Sequence, residues 1–174
     1  MIVAIDFGIT NTDIAVSNKS QYKFFSIPSK NANESFIDEI ISLIDIDITE
    51  ISQIVVTGGK SNELNESFKG VNLTKISETD AIGYGTKEIY KIGNEPFITL
   101  SCGTGTACIH HQDGQFSYIG GIAVGGGTIS GLSKAIFDSC SLEEMTDLAL
   151  KGNRNTLDLL IGDVVNEIGI LNSN

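Results

Sequence analysis

The sequence predicts an α/β protein built from two related lobes, residues 1–94 and 95–174. Apolar runs of strand length fill the first thirty residues, and helix-period stretches then alternate with further runs. After Gly93-Asn94-Glu95-Pro96 the pattern of strand-length runs starts again. Glycine-rich turns sit where several of these runs end. A length of 174 residues suits one domain or two small lobes. With 41% apolar and 19% charged residues, the chain is too apolar for disorder and too mixed for a fibre.

The continuous run Ile2–Ile5 predicts a central strand buried on both faces. Ile14–Val16 and Tyr22–Ile27 predict the next two strands, turning through Ser17-Asn18-Lys19-Ser20. Phe36, Ile37, Ile40, Ile41, Leu43 and Ile44 recur at helical spacing, with Asn33 or Ser35 as the cap. Ile51–Val56 predicts another buried strand ending at Thr57-Gly58-Gly59, and Leu73–Ile76 a short one. Glu78 opens a helix that runs to Tyr90.

In the second lobe, Phe97–Leu100 and Ala107–His111 predict a hairpin through Gly103-Thr104-Gly105. Asp113-Gly114 turns into a third strand, Phe116–Ile119. The glycines at 120–121 and 125–127 predict a loop, followed by a helix over Thr128–Phe137. Ser141-Leu142-Glu143-Glu144 is a capping box opening a helix to Leu150, and a third helix is expected over Asn155–Val165. The second lobe reads as unfinished.

The balance of 11 basic against 22 acidic residues gives a net charge of −11 and no basic patch. A nucleic-acid or anionic-membrane partner is therefore not expected. A polyanionic small molecule fits only if backbone amides and a divalent cation replace the missing cationic side chains. No window approaches the roughly 18 apolar residues of a membrane span. Met1–Asp6 lacks a basic n-region, so a signal peptide is not expected. Cys102, Cys108 and Cys140 are an odd number at spacings that match no zinc pattern, and they are expected as buried, reduced thiols in the cytoplasm.

Counting removes several standard sites. Gly59-Lys60-Ser61 would need a glycine at 54 for a phosphate-binding P-loop, and that residue is Ile54. His110 and His111 are neighbours on a strand and point to opposite faces, so they cannot share a metal. Three turns remain. In Asp6-Phe7-Gly8-Ile9-Thr10-Asn11-Thr12, Gly8 permits a tight turn, Thr10 and Asn11 offer short donors, and Asp6 could hold Mg²⁺ directly or through water. Ser101-Cys102-Gly103-Thr104-Gly105-Thr106 is a hairpin of the same style. In Gly120–Thr128 a glycine loop meets a helix start, where amides and dipole attract phosphate. Any one of these is an ordinary turn; together they describe a nucleotide held between lobes.

These hairpins resemble those of the actin–hexokinase–Hsp70 ATPase superfamily. Four stretches are more closely similar to type II pantothenate kinases: Ile5–Thr10; Thr57-Gly58-Gly59 with Glu78-Thr79-Asp80-Ala81; Gly103–Thr106; and Gly120–Leu132. A fifth, Gly152–Leu159, resembles the G-D-R-N-x-x-D-L run that follows in that family. The resemblance implies an actin-like (ribonuclease H-like) ATPase fold and ATP-dependent phosphorylation of the primary hydroxyl of pantothenate, the first step towards coenzyme A. It implies that Asp6 organises Mg²⁺ and that Gly8, Thr10 and Asn11 line the ATP phosphates from the first lobe. Gly103, Thr104, Gly105 and Thr106 would line them from the second, with Gly125, Gly126, Gly127 and Thr128 approaching the nucleotide through backbone. Glu78 would be the general base, and the protein a homodimer. By itself Glu78 also reads as an ordinary acid near a helix N-terminus.

The departures fall mostly on the acceptor side. Tyr118 stands where the family has an arginine that contacts the substrate, and it cannot form a bidentate grip. Ala107 replaces the serine that closes the G-T-G-T-S turn, and Ile9 and Asp13 replace a glycine and a lysine of the first hairpin. The family also continues well past the position of Asn174, so the chain is expected to be a fragment or to need a partner. Three functions stay open: the pantothenate kinase, a related kinase of another small hydroxylated metabolite, and a non-catalytic nucleotide-binding protein.

Overall fold

The computed structural model describes residues 1–18, 21–59, 61–137, 141–153 and 156. The chain divides into two compact units, Met1–Ile129 and Ser130–Asn174.

The first unit contains both sheets. Strands β1 (Ile2–Phe7), β2 (Asn11–Asn18), β3 (Gln21–Pro28), β4 (Gln53–Thr57), β5 (Ser67–Phe68) and β6 (Val71–Lys75) form one sheet in the order β3-β2-β1-β4-β6-β5. β1 pairs antiparallel with β2 and parallel with β4, which runs parallel to β6. Such parallel neighbours need crossovers, and helix α1 (Glu34–Leu43) lies in the connection from β3 to β4. Strands β7 (Phe97–Cys102), β8 (Thr106–Gln112) and β9 (Gln115–Ile122) form a second, antiparallel sheet. Helix α2 (Glu78–Tyr90) joins the two sheets in sequence, and α3 (Gly126–Phe137) starts at the end of this unit. Within the second unit, α4 (Leu142–Lys151) opens on the Ser141–Glu144 capping box.

The core is set by alternation on β1. Val3, Ile5 and Phe7 are buried with Ile14, Val16, Ile54 and Val56, and Phe36, Ile37, Ile40 and Ile41 of α1 belong to the same cluster. Each such side chain contributes about 1.5–3 kcal/mol through burial. The Asn33 side chain caps α1 by accepting from the Phe36 N–H at 2.9 Å. On the second sheet, the fully buried His111 lies between Phe97 and Phe116, with ring centroids 4.8 and 4.9 Å away. Its Nδ1 donates to the Glu95 carbonyl at 3.1 Å. His110 points to the other face and is half-buried.

Several expectations change. β1 is central, but only one face is fully buried: Ala4 is half-buried, and Ile2 and Asp6 reach solvent. The strand expected from Ile51 begins at Gln53, because a 3₁₀ turn over Ile48–Glu50 occupies the preceding residues. Gly120 and Gly121 are not a loop; they pair with Cys108 and Ala107 inside β9, where a register shift between Cys108 and Ile109 marks a bulge. α3 starts at Gly126 rather than Thr128, so the connection is only Ala123–Gly125. Cys102 is exposed and Cys108 half-buried, against the expectation of buried thiols, because Cys102 ends an edge strand. Cys140, the core of the expected 155–165 helix and most of the Gly152–Leu159 run lie outside the described residues. No helix among the described residues is long and apolar enough to cross a membrane.

Truncating the core tests this packing. Ile54→Ala, at a fully buried position on β4, is expected to cost about 2–5 kcal/mol in denaturant unfolding, because the site is walled by two strands and cannot collapse.

Candidate active site

Alternation that buries Val3, Ile5 and Phe7 turns Asp6 to the opposite face, directly across from Asp13 on β2 and Thr57 on β4. The hairpin that follows is tight. A Cβ on Gly8 would come 2.5 Å from the Asn11 carbonyl oxygen, so only glycine fits. Ser29, just after β3, braces this turn: its hydroxyl donates to the Gly8 carbonyl at 2.5 Å and contacts the Thr12 hydroxyl at 3.0 Å, while its N–H donates to the Thr10 carbonyl at 3.0 Å. Thr12 is fully buried there, whereas Thr10 and Asn11 are exposed. Ser29 was not singled out by the sequence, since a serine after a strand carries no signal of its own.

Three acids share the region around Asp6. Desolvation raises the Asp6 pKa above its ordinary value, and the negative charges of Glu78 and Asp13 raise it further. Glu78 is the first residue of α2 and is exposed; the helix start is capped by Ser77, whose hydroxyl accepts from the Asp80 N–H at 3.0 Å and donates to the Asp80 carboxylate at 2.7 Å. The S-x-x-D spacing of Ser77 and Asp80 marks this cap in the sequence itself. The Thr57 hydroxyl beside Asp6 is buried with no hydrogen-bond partner. Among the described residues no group of three His, Cys, Asp or Glu side chains converges on one metal position. Asp6 is the carboxylate of this region that could take a divalent cation, since Mg²⁺ binds proteins through one or two carboxylates. A hollow of about 610 Å³ over the open face of the sheet has Ala4, Ala15 and Val55 on its floor and Asp6, Asp13 and Thr57 at one end. None of the glycine-turn residues lines it.

The second hairpin meets the first at one point, where the Thr10 and Thr104 hydroxyls hydrogen-bond at 2.9 Å. Behind it the Gly125–Thr128 segment packs on the turn. A Cβ on Gly125 would overlap the Gly105 carbonyl and come 2.8 Å from that of Gly103, and one on Gly127 would come 2.7 Å from the Thr104 methyl. Two of the expected phosphate residues spend their hydroxyls on this packing. Thr106 donates to the Val124 carbonyl at 2.8 Å and Thr128 to the Ala123 carbonyl at 2.9 Å. Gly103 is open to solvent, and Gly126 and Gly127 form the first turn of α3. Gly8, Thr10, Gly103 and Thr104 thus gather on one rim, with the start of α3 behind them. Such a rim of glycine backbone, hydroxyls and a helix start suits the phosphates of ATP.

Ala107 pairs with Gly121 and Ile109 with Tyr118, which puts Tyr118 and Ala107 on one face of the second sheet. Tyr118 is 60% exposed, and its hydroxyl lies over Gly121, where a Cβ would overlap it.

The Asp6 shift has a sign that can be measured. A raised folded-state pKa means that ionising Asp6 destabilises the fold. The penalty is absent below the ordinary aspartate range and grows as pH rises from that range through the raised value. Asp6→Asn is therefore expected to raise Tm at neutral pH, and thermal unfolding at a series of pH values should show the gain fading in acid.

The relatives are consistent in kind. The type II pantothenate kinase of Bacillus anthracis is 33% identical over 168 residues, covering 93% of this chain and 58% of that protein. The type II pantothenate kinase of Staphylococcus aureus is 30% identical over 165 residues, with 92% and 58% covered. The chain thus spans less than two thirds of the length of these curated relatives. Among solved structures, the activator of the 2-hydroxyisocaproyl-CoA dehydratase from Clostridium difficile, with bound ADPNP, aligns with a TM-score of 0.60 at 16% identity, over 87% of this chain and 57% of that one. The shared architecture is the actin-like ATPase fold. Residues 8–171 match the family model described as Fumble, and the chain belongs to this family, that of the type II pantothenate kinases.

Proposed function

We propose that this chain carries the nucleotide-binding frame of an ATP-dependent pantothenate kinase, with residues 1–94 and 95–174 as parts of its two lobes. The carrying observation is that hairpins from the two sheets meet at Thr10 and Thr104, with the start of α3 behind them, in a chain of this family. In the reaction a bond forms between the primary hydroxyl oxygen of pantothenate and the γ-phosphorus of ATP. The bond from that phosphorus to the β,γ-bridging oxygen breaks, and ADP leaves.

Positioning and charge stabilisation are the protein's main contributions to such a transfer. Gly8, Thr10, Gly103 and Thr104 orient the phosphates, and Gly125–Thr128 hold the second hairpin in place. Asp6 holds Mg²⁺, which when bound neutralises charge on the phosphates. The Glu78 carboxylate accepts the proton of the attacking hydroxyl, and its seat at the start of α2 keeps it at the same end of the sheet as Asp6. In this function the protein works in the cytoplasm as a homodimer, with no nucleic-acid or membrane partner.

A second reading rests on Tyr118 and Ala107. With a neutral phenol and a methyl group on that face, the acceptor is another small hydroxylated metabolite. A non-catalytic nucleotide-binding role is the remaining alternative.

The deciding test is transfer of labelled γ-phosphate from Mg·ATP to pantothenate, by this 174-residue chain and by a type II pantothenate kinase of the family's usual length side by side. Transfer by this chain supports the kinase; ATP binding by it without transfer, while the relative transfers, moves the assignment to another acceptor or to a binding role. Glu78→Gln is expected to keep nucleotide binding and to lower turnover by roughly 10²–10⁴-fold. Unchanged turnover removes Glu78 from the mechanism. Tyr118→Arg with Ala107→Ser is expected to raise kcat/KM for pantothenate if those two positions set the acceptor, and an unaltered value counts against that explanation.

A further inference from the structure

Gly58 closes the turn after β4 with φ at +75°, in the left-handed region that a side chain disfavours. The position is crowded as well as strained. A Cβ there would overlap Oδ1 of Asp6 and lie 2.8 Å from the Phe7 carbonyl oxygen. The next residue, Gly59, meets the same carbonyl at 2.8 Å, so two successive glycines wrap the end of β1. The Asp6 carboxylate therefore occupies space that exists only because residue 58 has no side chain. The parallel pairing of Asp6 with Thr57 fixes this approach in register. Of the two atoms a Cβ would press on, the carboxylate is the free end of a side chain and the carbonyl is backbone. The carboxylate moves first.

We infer that Gly58 is a positioning residue: the gap left by its missing Cβ sets where the Asp6 carboxylate points. The consequence for the metal rests on the reading of Asp6 given above, whereas the positioning itself does not.

Gly70 supplies the control, because it has φ at +84° and nothing within 4 Å of its notional Cβ. Alanine at 70 introduces left-handed strain alone; alanine at 58 adds the collision with Asp6. The first readout is the Asp6 side-chain ¹³Cγ resonance of the metal-free chain at fixed pH. It is expected to move in Gly58→Ala and to stay in Gly70→Ala; an unmoved resonance in Gly58→Ala, or equal movement in both, overturns the inference. The second is Mn²⁺ affinity measured by electron paramagnetic resonance with a non-hydrolysable ATP analogue present. Gly58→Ala should weaken it roughly 10–100-fold, as loss of a group that orients a ligand does, with no further loss when added to Asp6→Ala. A moved resonance with unchanged Mn²⁺ affinity supports the positioning and removes Asp6 as a metal ligand, so the two failures are distinct. If Gly58→Ala folds poorly, its drop in Tm should shrink in the Asp6→Ala background, and an equal drop in both backgrounds overturns the inference.

Discussion

Everything at the candidate site depends on the burial of one face of β1. Val3, Ile5 and Phe7 enter the cluster that includes α1. Because strand side chains alternate, that burial forces Asp6 to the other face and fixes the turn at Gly8. A slip of one residue would bury Asp6 and expose three large apolar side chains, so the register is defended by several kcal/mol at the burial value of each residue. β1 is flanked by β2 and β4, and both neighbours contribute to the surroundings of Asp6: Asp13 from one side, Thr57 and Gly58 from the other. The core and the acidic end of the sheet are two consequences of a single pattern.

The second hairpin is held by different means. Its sheet is small, and the position of the Gly103–Gly105 turn depends on contacts from the residues that lead into α3. Thr106 and Thr128 tie down the carbonyls of Val124 and Ala123, and the glycines at 125 and 127 let backbone lie against backbone. Hydroxyls that read as ligand-binding groups in the sequence are used as internal fasteners. The exposed donors left at the rim are fewer than the motif suggests, and Thr104 bonds to Thr10 of the first turn.

Much of this was legible in the sequence because the signals were local. The run from Ile2 to Gly8 carries both its period and its turn, Asn33 sits at capping distance from an amphipathic stretch, and Ser141–Glu144 spells out its own box. What escaped was set by distant partners. The two residues of β5 are a strand only because β6 supplies the pairing, and Gly120–Gly121 stay in β9 because Cys108 and Ala107 bond across to them. A glycine pair looks like a loop when its cross-strand neighbours are unknown. The brace from Ser29 and the seat that Gly58 leaves for Asp6 both join segments far apart in sequence, so no spacing rule reveals them.

The Thr10–Thr104 bond has a bearing on how such a rim would fill. Two hydroxyls satisfying one another at the surface form a weak and fully exchangeable contact, worth about 0.5–1.5 kcal/mol at most. Each can rotate to meet an arriving oxygen without uncovering a buried polar group, so the empty rim resembles a clasp that is fastened but not locked. An anion reaching it would trade one neutral contact for two charge-assisted ones, and the hairpins would be drawn towards the ligand instead of towards each other.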